Sequence, residues 1–171
     1  MFPEPPSVPF DLRRLGSADA PWLQDFLETC DDYFRMISGQ SAAPHEAETE
    51  LASLPPGKTL DDKFFVGLQG PDGTLAGVFD LVKDYPEPGI WYLGLLLLHP
   101  AVRSKGHGEA IHAQISALVR SQGGSAIRLG VVEKNEKALK FWTRLGYHEL
   151  SRKPVQVGGH MHEVRVLQKA L

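Results

Sequence analysis

Arg103, Lys105, Gly106 and Gly108 stand in the run Arg103-Ser104-Lys105-Gly106-His107-Gly108, directly before a helical pattern carrying Ile111, Ile115, Leu118 and Val119. Two glycines one residue apart let the chain turn sharply and keep side chains away from the backbone amides. A helix that begins there aims unpaired N–H groups and the positive end of its dipole at whatever lies over the turn. That arrangement binds anions, and a diphosphate is its usual occupant. Arg103 and Lys105 add positive charge to the same turn. A Rossmann-type dinucleotide loop would need a third glycine where Ile111 stands, and would open the domain rather than follow several other elements.

Other residues carry chemistry less securely placed by their surroundings. Asp80 sits inside the apolar run Val78-Phe79-Asp80-Leu81-Val82, where a carboxylate needs a reason. Base duty, binding of a substrate ammonium and a structural hydrogen bond are the three on offer. His160 and His162 share a strand face, but no third ligand stands near them in sequence, so a solvated strand is the reading. Cys30 is the only cysteine, which rules out an internal disulfide; it lies in an apolar helical pattern and reads as a buried, inert thiol.

The elements that must hold these residues follow from periodicity. Phe10, Leu12 and Leu15 outline a first strand. Trp22, Leu23, Phe26, Leu27, Cys30, Tyr33 and Phe34 recur at helical spacing, with Asp31 and Asp32 punctuating the end of the stripe and Gly39 as a stop. A more polar helix is expected from Pro44 to Leu54. Strands follow at Lys63 to Gln69 and Leu75 to Lys83, joined by the turn Pro71-Asp72-Gly73. The next strand, Ile90 to Leu98, does not alternate from Leu93 onward, which predicts cover on both faces. After the glycine turn and its helix come a strand at Ala126 to Val132 and a helix capped by Asn135. Two closing strands, Tyr147 to Val157 and Met161 to Leu167, complete the order. Residues 1–9, with Pro3, Pro5, Pro6 and Pro9, read as a loose arm and 10–171 as one α/β domain.

Composition narrows the function class. The 171 residues are 42% hydrophobic and 23% charged, with a formal net charge of −3, so no nucleic-acid surface is expected. The N-terminus has neither a basic nor an apolar leader region, and no apolar stretch approaches the ~20 residues that span a bilayer. The expected address is the cytoplasm, with no membrane partner.

Arg-x-x-Gly-x-Gly after a strand and before a helix resembles the acetyl-CoA-binding motif of the GNAT family of N-acetyltransferases. Asn135-x-x-Ala138-x-x-Phe141-Trp142-x-x-Leu145-Gly146-Tyr147 is similar to the family's later motif, and the element order matches the family's. The resemblance implies a GNAT fold, a central mixed, mostly antiparallel sheet flanked by helices. It also implies acetyl transfer from acetyl-CoA, as co-substrate, to a primary amine by direct attack in a ternary complex. Under it, Leu97 and Leu98 meet the pantetheine arm. Arg103 and the backbone of Lys105, Gly106, His107, Gly108, Glu109 and Ala110 cradle the diphosphate, and Asn135, Ala138 and Phe141 line the far side of the arm. Tyr92 falls where some family members carry a catalytic glutamate, so Tyr92 and Asp80 are the candidate catalytic residues. Asp32, Tyr33 and Trp91 are the candidates for the acceptor pocket. Trp142 replaces the tyrosine that many members use as general acid, and an indole does not titrate. A non-catalytic acyl-CoA-binding module of the same fold is therefore the alternative. The acceptor is a small molecule or a peptide: an acidic pocket would favour a polyamine or aminoglycoside, an open groove a protein. A homodimer through the last strands or the exposed helices is left open.

Overall fold

The computed structural model describes residues 7–171; residues 1–6, most of the expected arm, lie outside the described residues. Val8 and Phe10 pack beside the larger core cluster, and the Phe10 ring stands edge-on to His107 at 5.2 Å.

Seven strands form one sheet: β1 (Asp11–Arg14), β2 (Lys63–Gln69), β3 (Leu75–Val82), β4 (Ile90–Leu98), β5 (Ala126–Val132), β6 (His148–Val157) and β7 (His160–Ala170). Their order is β1-β2-β3-β4-β5-β7-β6. Every neighbouring pair is antiparallel except β4–β5. A parallel pair needs a crossover, and helix α4 (His107–Ser121) supplies it. With α5 (Glu136–Arg144), α4 covers one face of the sheet, where Phe79, Leu81, Trp91 and Leu93 meet Ile111, Ile115, Val119 and Trp142. The other face carries α1 (Ala20–Thr29), α2 (Asp31–Ser38) and α3 (Glu46–Ala52), with Leu23, Phe26 and Leu27 against Phe65, Val78 and Leu97.

Two expectations need correction here. The stripe from Trp22 to Phe34 is two helices, broken at Cys30 (φ −94, ψ 39). The apolar phase survives the break, so periodicity alone did not show it. Asp31 and Asp32 therefore open α2, where carboxylates suit the dipole, and Gly39 closes it at φ 74. The second correction concerns β4, whose last residues are not covered on both faces: Gly94 is exposed and Leu95, Leu96 and Leu98 are half-buried.

The cause is a parting of the sheet. β4 and β5 pair only from Ile90↔Ala126 to Leu93↔Leu129, although the strands continue to Leu98 and Val132. At the point of parting the β3 register passes from Leu81↔Leu93 to Asp80↔Leu95, so Gly94 is an extra residue, a β-bulge. A bulge bends its strand. A Cβ at Gly94 would stand in van der Waals contact with the Asp80 carboxylate, at 3.4 Å. Among the described residues no helix is long and apolar enough to cross a membrane.

Candidate active site

The glycine turn is built for an anion. Ser104 (φ 61) and Gly106 (φ 79) both take left-handed conformations, and nothing lies within 4 Å of where a Gly106 Cβ would be. Gly106 is the N-cap of α4, and no side chain caps that end. The N–H groups of His107, Gly108 and Glu109 thus have no partner within the helix. Ala110 differs from expectation: its N–H already reaches the Gly106 carbonyl at 3.4 Å. Gly108 serves close approach, since a Cβ there would meet the Phe141 ring at 3.2 Å. The two glycines therefore do different work, one bending the chain and one admitting α5.

This turn opens into a cavity of about 590 Å³ on the α4–α5 side, lined by Leu96, Leu97, Leu98, Gly106, Phe141 and Trp142 among others. Ala138 and Glu109 also line it, and so do Lys137 and Arg144, two cations that the sequence reading missed. Their spacing with Phe141 on α5, i, i+4 and i+7, is the signal that would have placed them on one helix face. Asn135 does not line the cavity. Its Oδ1 accepts the Ala138 N–H at 3.2 Å, so it orients α5 as an N-cap. The side chains of Lys105 and His107 likewise stay outside the lining.

Backbone directions along β4 correct one further expectation. His99 donates its N–H to the Ala76 carbonyl at 2.8 Å, and Gly77 lies opposite Leu98. Because antiparallel partners alternate between bonded and non-bonded pairs, Leu97 turns both backbone groups toward β3. Leu96 and Leu98 turn theirs into the gap left by β5. Leu96, not Leu97, is thus the partner of Leu98 there. The Leu98 carbonyl is already taken by Arg103 Nε at 2.9 Å. The Arg103 guanidinium also pairs with Asp32, and holds the Asp32 carboxyl below its usual range. Asp32, in the first turn of α2, therefore anchors Arg103 and lines neither cavity.

A second cavity of about 540 Å³ opens on the α1–α3 side. The ladder registers put Lys63, Asp80, Val82, Tyr92 and Arg128 on one sheet face. Asp80, Tyr92, Gly94 and Arg128 line this cavity, with Glu50 of α3 over it and Lys153 of β6 at its far wall. Both cavities border β4, one lined by Gly94 and the other by Leu96, two residues further along the strand. Asp80 is buried and bonded through Oδ2 to Lys63 Nζ at 2.8 Å, while its Oδ1 has no hydrogen-bond partner among the described residues. Lys63 Nζ also donates to the Ser53 carbonyl at 2.8 Å, tying α3's end to the pair. Burial raises the Asp80 carboxyl, against the pull of Lys63. Burial and then the charges of Asp80 and Glu46 push Glu50 up to about 7. Burial and the neighbouring Tyr85 raise the Tyr92 hydroxyl. At neutral pH Tyr92 is therefore a donor, and Glu50 is the group poised to exchange a proton. Glu50 went unnoticed in the sequence because the helix that carries it reads as polar and solvated.

Trp91 is not where an acceptor-pocket residue must be. It points to the face opposite Tyr92, is fully buried, and packs 5.2 Å from the Phe64 ring. Tyr33 is half-buried beside Phe34; burial, then Glu50 and Glu46, push its hydroxyl up to about 12. Trp142 packs edge-on against Phe141, Tyr147 and His112, and the His112 ring bonds the Tyr147 hydroxyl at 2.8 Å. Burial, with Lys169 and Arg120, lowers His112 to about 4, so that buried pair is neutral. The solvated-strand reading fails for His162, which is buried and within 2.8 Å of the Ile37 carbonyl. The β6–β7 hairpin leans on α2 there, close enough that a Gly158 Cβ would stand 2.8 Å from Ser38. Among the described residues no group of three or more His, Cys, Asp or Glu could hold a metal ion.

Comparison with known proteins agrees with this fold. Residues 23–147 match the model of the Acetyltransferase (GNAT) family. An acetyltransferase from Thermus thermophilus superposes with a TM-score of 0.78 at 21% identity, covering 96% of this chain and 98% of that one. The PaiA N-acetyltransferase from Thermoplasma acidophilum, in complex with coenzyme A, gives 0.66 at 18%, covering 95% and 99%. Spermidine/spermine N-acetyltransferase SpeG from Vibrio cholerae gives 0.67 at 14%, covering 94% and 92%. No curated protein sequence gives a significant match.

Proposed function

We infer that this chain, which belongs to the GNAT family of acetyltransferases, transfers the acetyl group of acetyl-CoA to the primary amine of a small acceptor. The observation that carries this reading is the gap between β4 and β5, with one cavity lined by Gly94 and another by Leu96 on the same strand. One substrate enters from each face. Acetyl-CoA supplies a thioester carbonyl that an amine can attack. The free N–H groups of α4's first turn, with Lys137 and Arg144, hold the diphosphate, and Leu96 and Leu98 hold the arm through backbone groups. Arg103, fixed by Asp32 and the Leu98 carbonyl, shapes the turn.

In the second cavity Glu50 accepts a proton from the acceptor ammonium, and Lys63–Asp80 keeps a fixed dipole beside it. The neutral amine attacks the carbonyl carbon, an N–C bond forms, the C–S bond breaks, and the nitrogen sheds its second proton to solvent, from which the released thiolate is protonated. A gap-facing backbone N–H donates to the carbonyl oxygen as its charge grows. CoA departs as the thiolate, which a thiol's ordinary pKa of about 8.5 makes a competent leaving group without the tyrosine that Trp142 replaces. A direct transfer fits the absence, among the cavity-lining residues, of any cysteine. A cytoplasmic address suits a consumer of acetyl-CoA.

The test is CoA release from acetyl-CoA across a panel of amines, with intact-mass measurement of the protein after acetyl-CoA alone. Amine-dependent release and an unmodified protein support direct transfer. A protein heavier by one acetyl group refutes it, and tight binding without turnover on any amine would favour a non-catalytic binding module.

A further inference from the structure

The charges of the acceptor cavity say more about the acceptor than the amine alone. We propose that the acceptor is an amino-acid-like zwitterion, its amine at Glu50 and Asp80 and its carboxylate at Arg128; this rests on the reading of the cavity as the acceptor site.

Four charged residues line the cavity: Glu50, Asp80, Arg128 and Lys153. The Asp80 charge is already balanced by Lys63, which stands behind it and outside the lining. Glu50 is only partly ionised near neutral pH. The cavity is therefore not acidic, and a polyamine would set its further ammonium groups against Arg128 and Lys153. Arg128, half-buried at that wall, calls for an anion instead, and exposed Lys153 adds to its positive field.

Neither cation has one among the described residues. Arg128 is half-buried, and its Nε donates to Gln168 Oε1 at 2.8 Å, which orients the guanidinium without neutralising it. Its neighbours are treated differently: Arg165 pairs with Glu133, and Arg152 pairs with Glu149. Among the described residues no carboxylate pairs with Arg128 or Lys153. A planar guanidinium held by one edge leaves the other for a bidentate carboxylate.

Position favours a short spacer. Arg128 lies in register with Tyr92, and Tyr92 with Val82, two residues along β3 from Asp80 on the same face. Two strand spacings separate β3 from β5 by about 10 Å. Asp80 and Arg128 thus face the cavity from either side of Tyr92, and a compact zwitterion sets its amine at one and its carboxylate at the other. Tyr92 lies between the two ends, with the Tyr85 ring 5.8 Å from its own, and gives the spacer an aromatic wall.

The experiment measures kcat/KM for α- and β-amino acids, for the amide of each, and for spermidine. The best amino acid should exceed its amide by about 100-fold. Arg128→Met should erase most of that difference by lowering the amino-acid rate alone, with acetyl-CoA affinity by calorimetry unchanged; Arg128→Lys should recover part of it. An amide or spermidine used as well as the best amino acid would overturn the proposal, as would an Arg128→Met variant that slows acid and amide equally. Acetyl-CoA binding with no turnover on any amino acid would overturn it too. Absence of acetyl-CoA binding would instead overturn the reading on which it rests.

Discussion

Glu50→Gln should make the protein more stable and less active at once, and the two effects share a cause. An exposed glutamate titrates at 4.5, and Glu50 at about 7, chiefly through burial. Between those values the native state holds a proton that the unfolded chain has released, so stability falls as pH rises from 4.5 to 7. Above pH 7 the ionised Glu50 costs folding its full amount. At about 1.4 kcal/mol per pH unit that is at most about 3.5 kcal/mol. Glutamine carries no charge and avoids the cost. The variant should match the parent below pH 4.5 and gain progressively to pH 7. At pH 8 it should melt higher by up to roughly 7–14 °C, given about 2–4 °C per kcal/mol for a chain of this size. Its acetyl-transfer rate at pH 8 should fall by about 10²- to 10⁴-fold, the contribution of a positioned base. The parent's rate should climb with pH to a plateau above about 7, and the variant should lose that limb. Melting curves from pH 4 to 8, with kcat/KM over the active range, make the test. A variant no more stable at pH 8, or one that keeps the parent's rate and pH profile, would refute the assignment of Glu50.

Three further outcomes are expected. Gly108→Glu should weaken acetyl-CoA by about 100-fold or more in a calorimetric titration, since it sets a carboxylate at the diphosphate site and a Cβ 3.2 Å from the Phe141 ring; unchanged affinity in a folded variant would contradict the cradle. Lys63→Met should cost about 3–5 kcal/mol in chemical denaturation at pH 8, because it leaves Asp80 buried without its partner. That loss should shrink as pH falls, because burial favours protonation of Asp80, and a loss independent of pH would argue against an ionised pair. Trp142→Tyr should leave kcat within about threefold while lowering stability by about 1–2 kcal/mol through lost packing on His112, Phe141 and Tyr147; a tenfold rise in kcat would show that thiolate departure lacks an acid.

The parts of the site that read well from sequence are those whose chemistry is local. The glycine turn, the Asn135 cap and the strand Lys63–Gln69 each depend on residues a few positions apart. Glu50 and Arg128 did not show because their roles come from packing between distant segments. Glu50 sits on a polar helix until α3 lies over Asp80, and Arg128 interrupts an otherwise apolar strand whose neighbours are set only by the ladder. Tyr92 and Trp91 are adjacent, and only the choice of sheet face separates a cavity wall from a core aromatic. The parting of β4 from β5 turns on one extra residue, Gly94, which no hydrophobic pattern marks.

The gap between those strands is the claim on which the rest depends, and amide hydrogen exchange of the whole chain with and without acetyl-CoA tests it most directly. Binding in the gap should slow exchange at Leu96, Leu98 and the amides from His107 to Glu109, and leave the paired segment Ile90 to Leu93 as it was. Protection that falls elsewhere, with β4's free end and the first turn of α4 unchanged, would contradict the account.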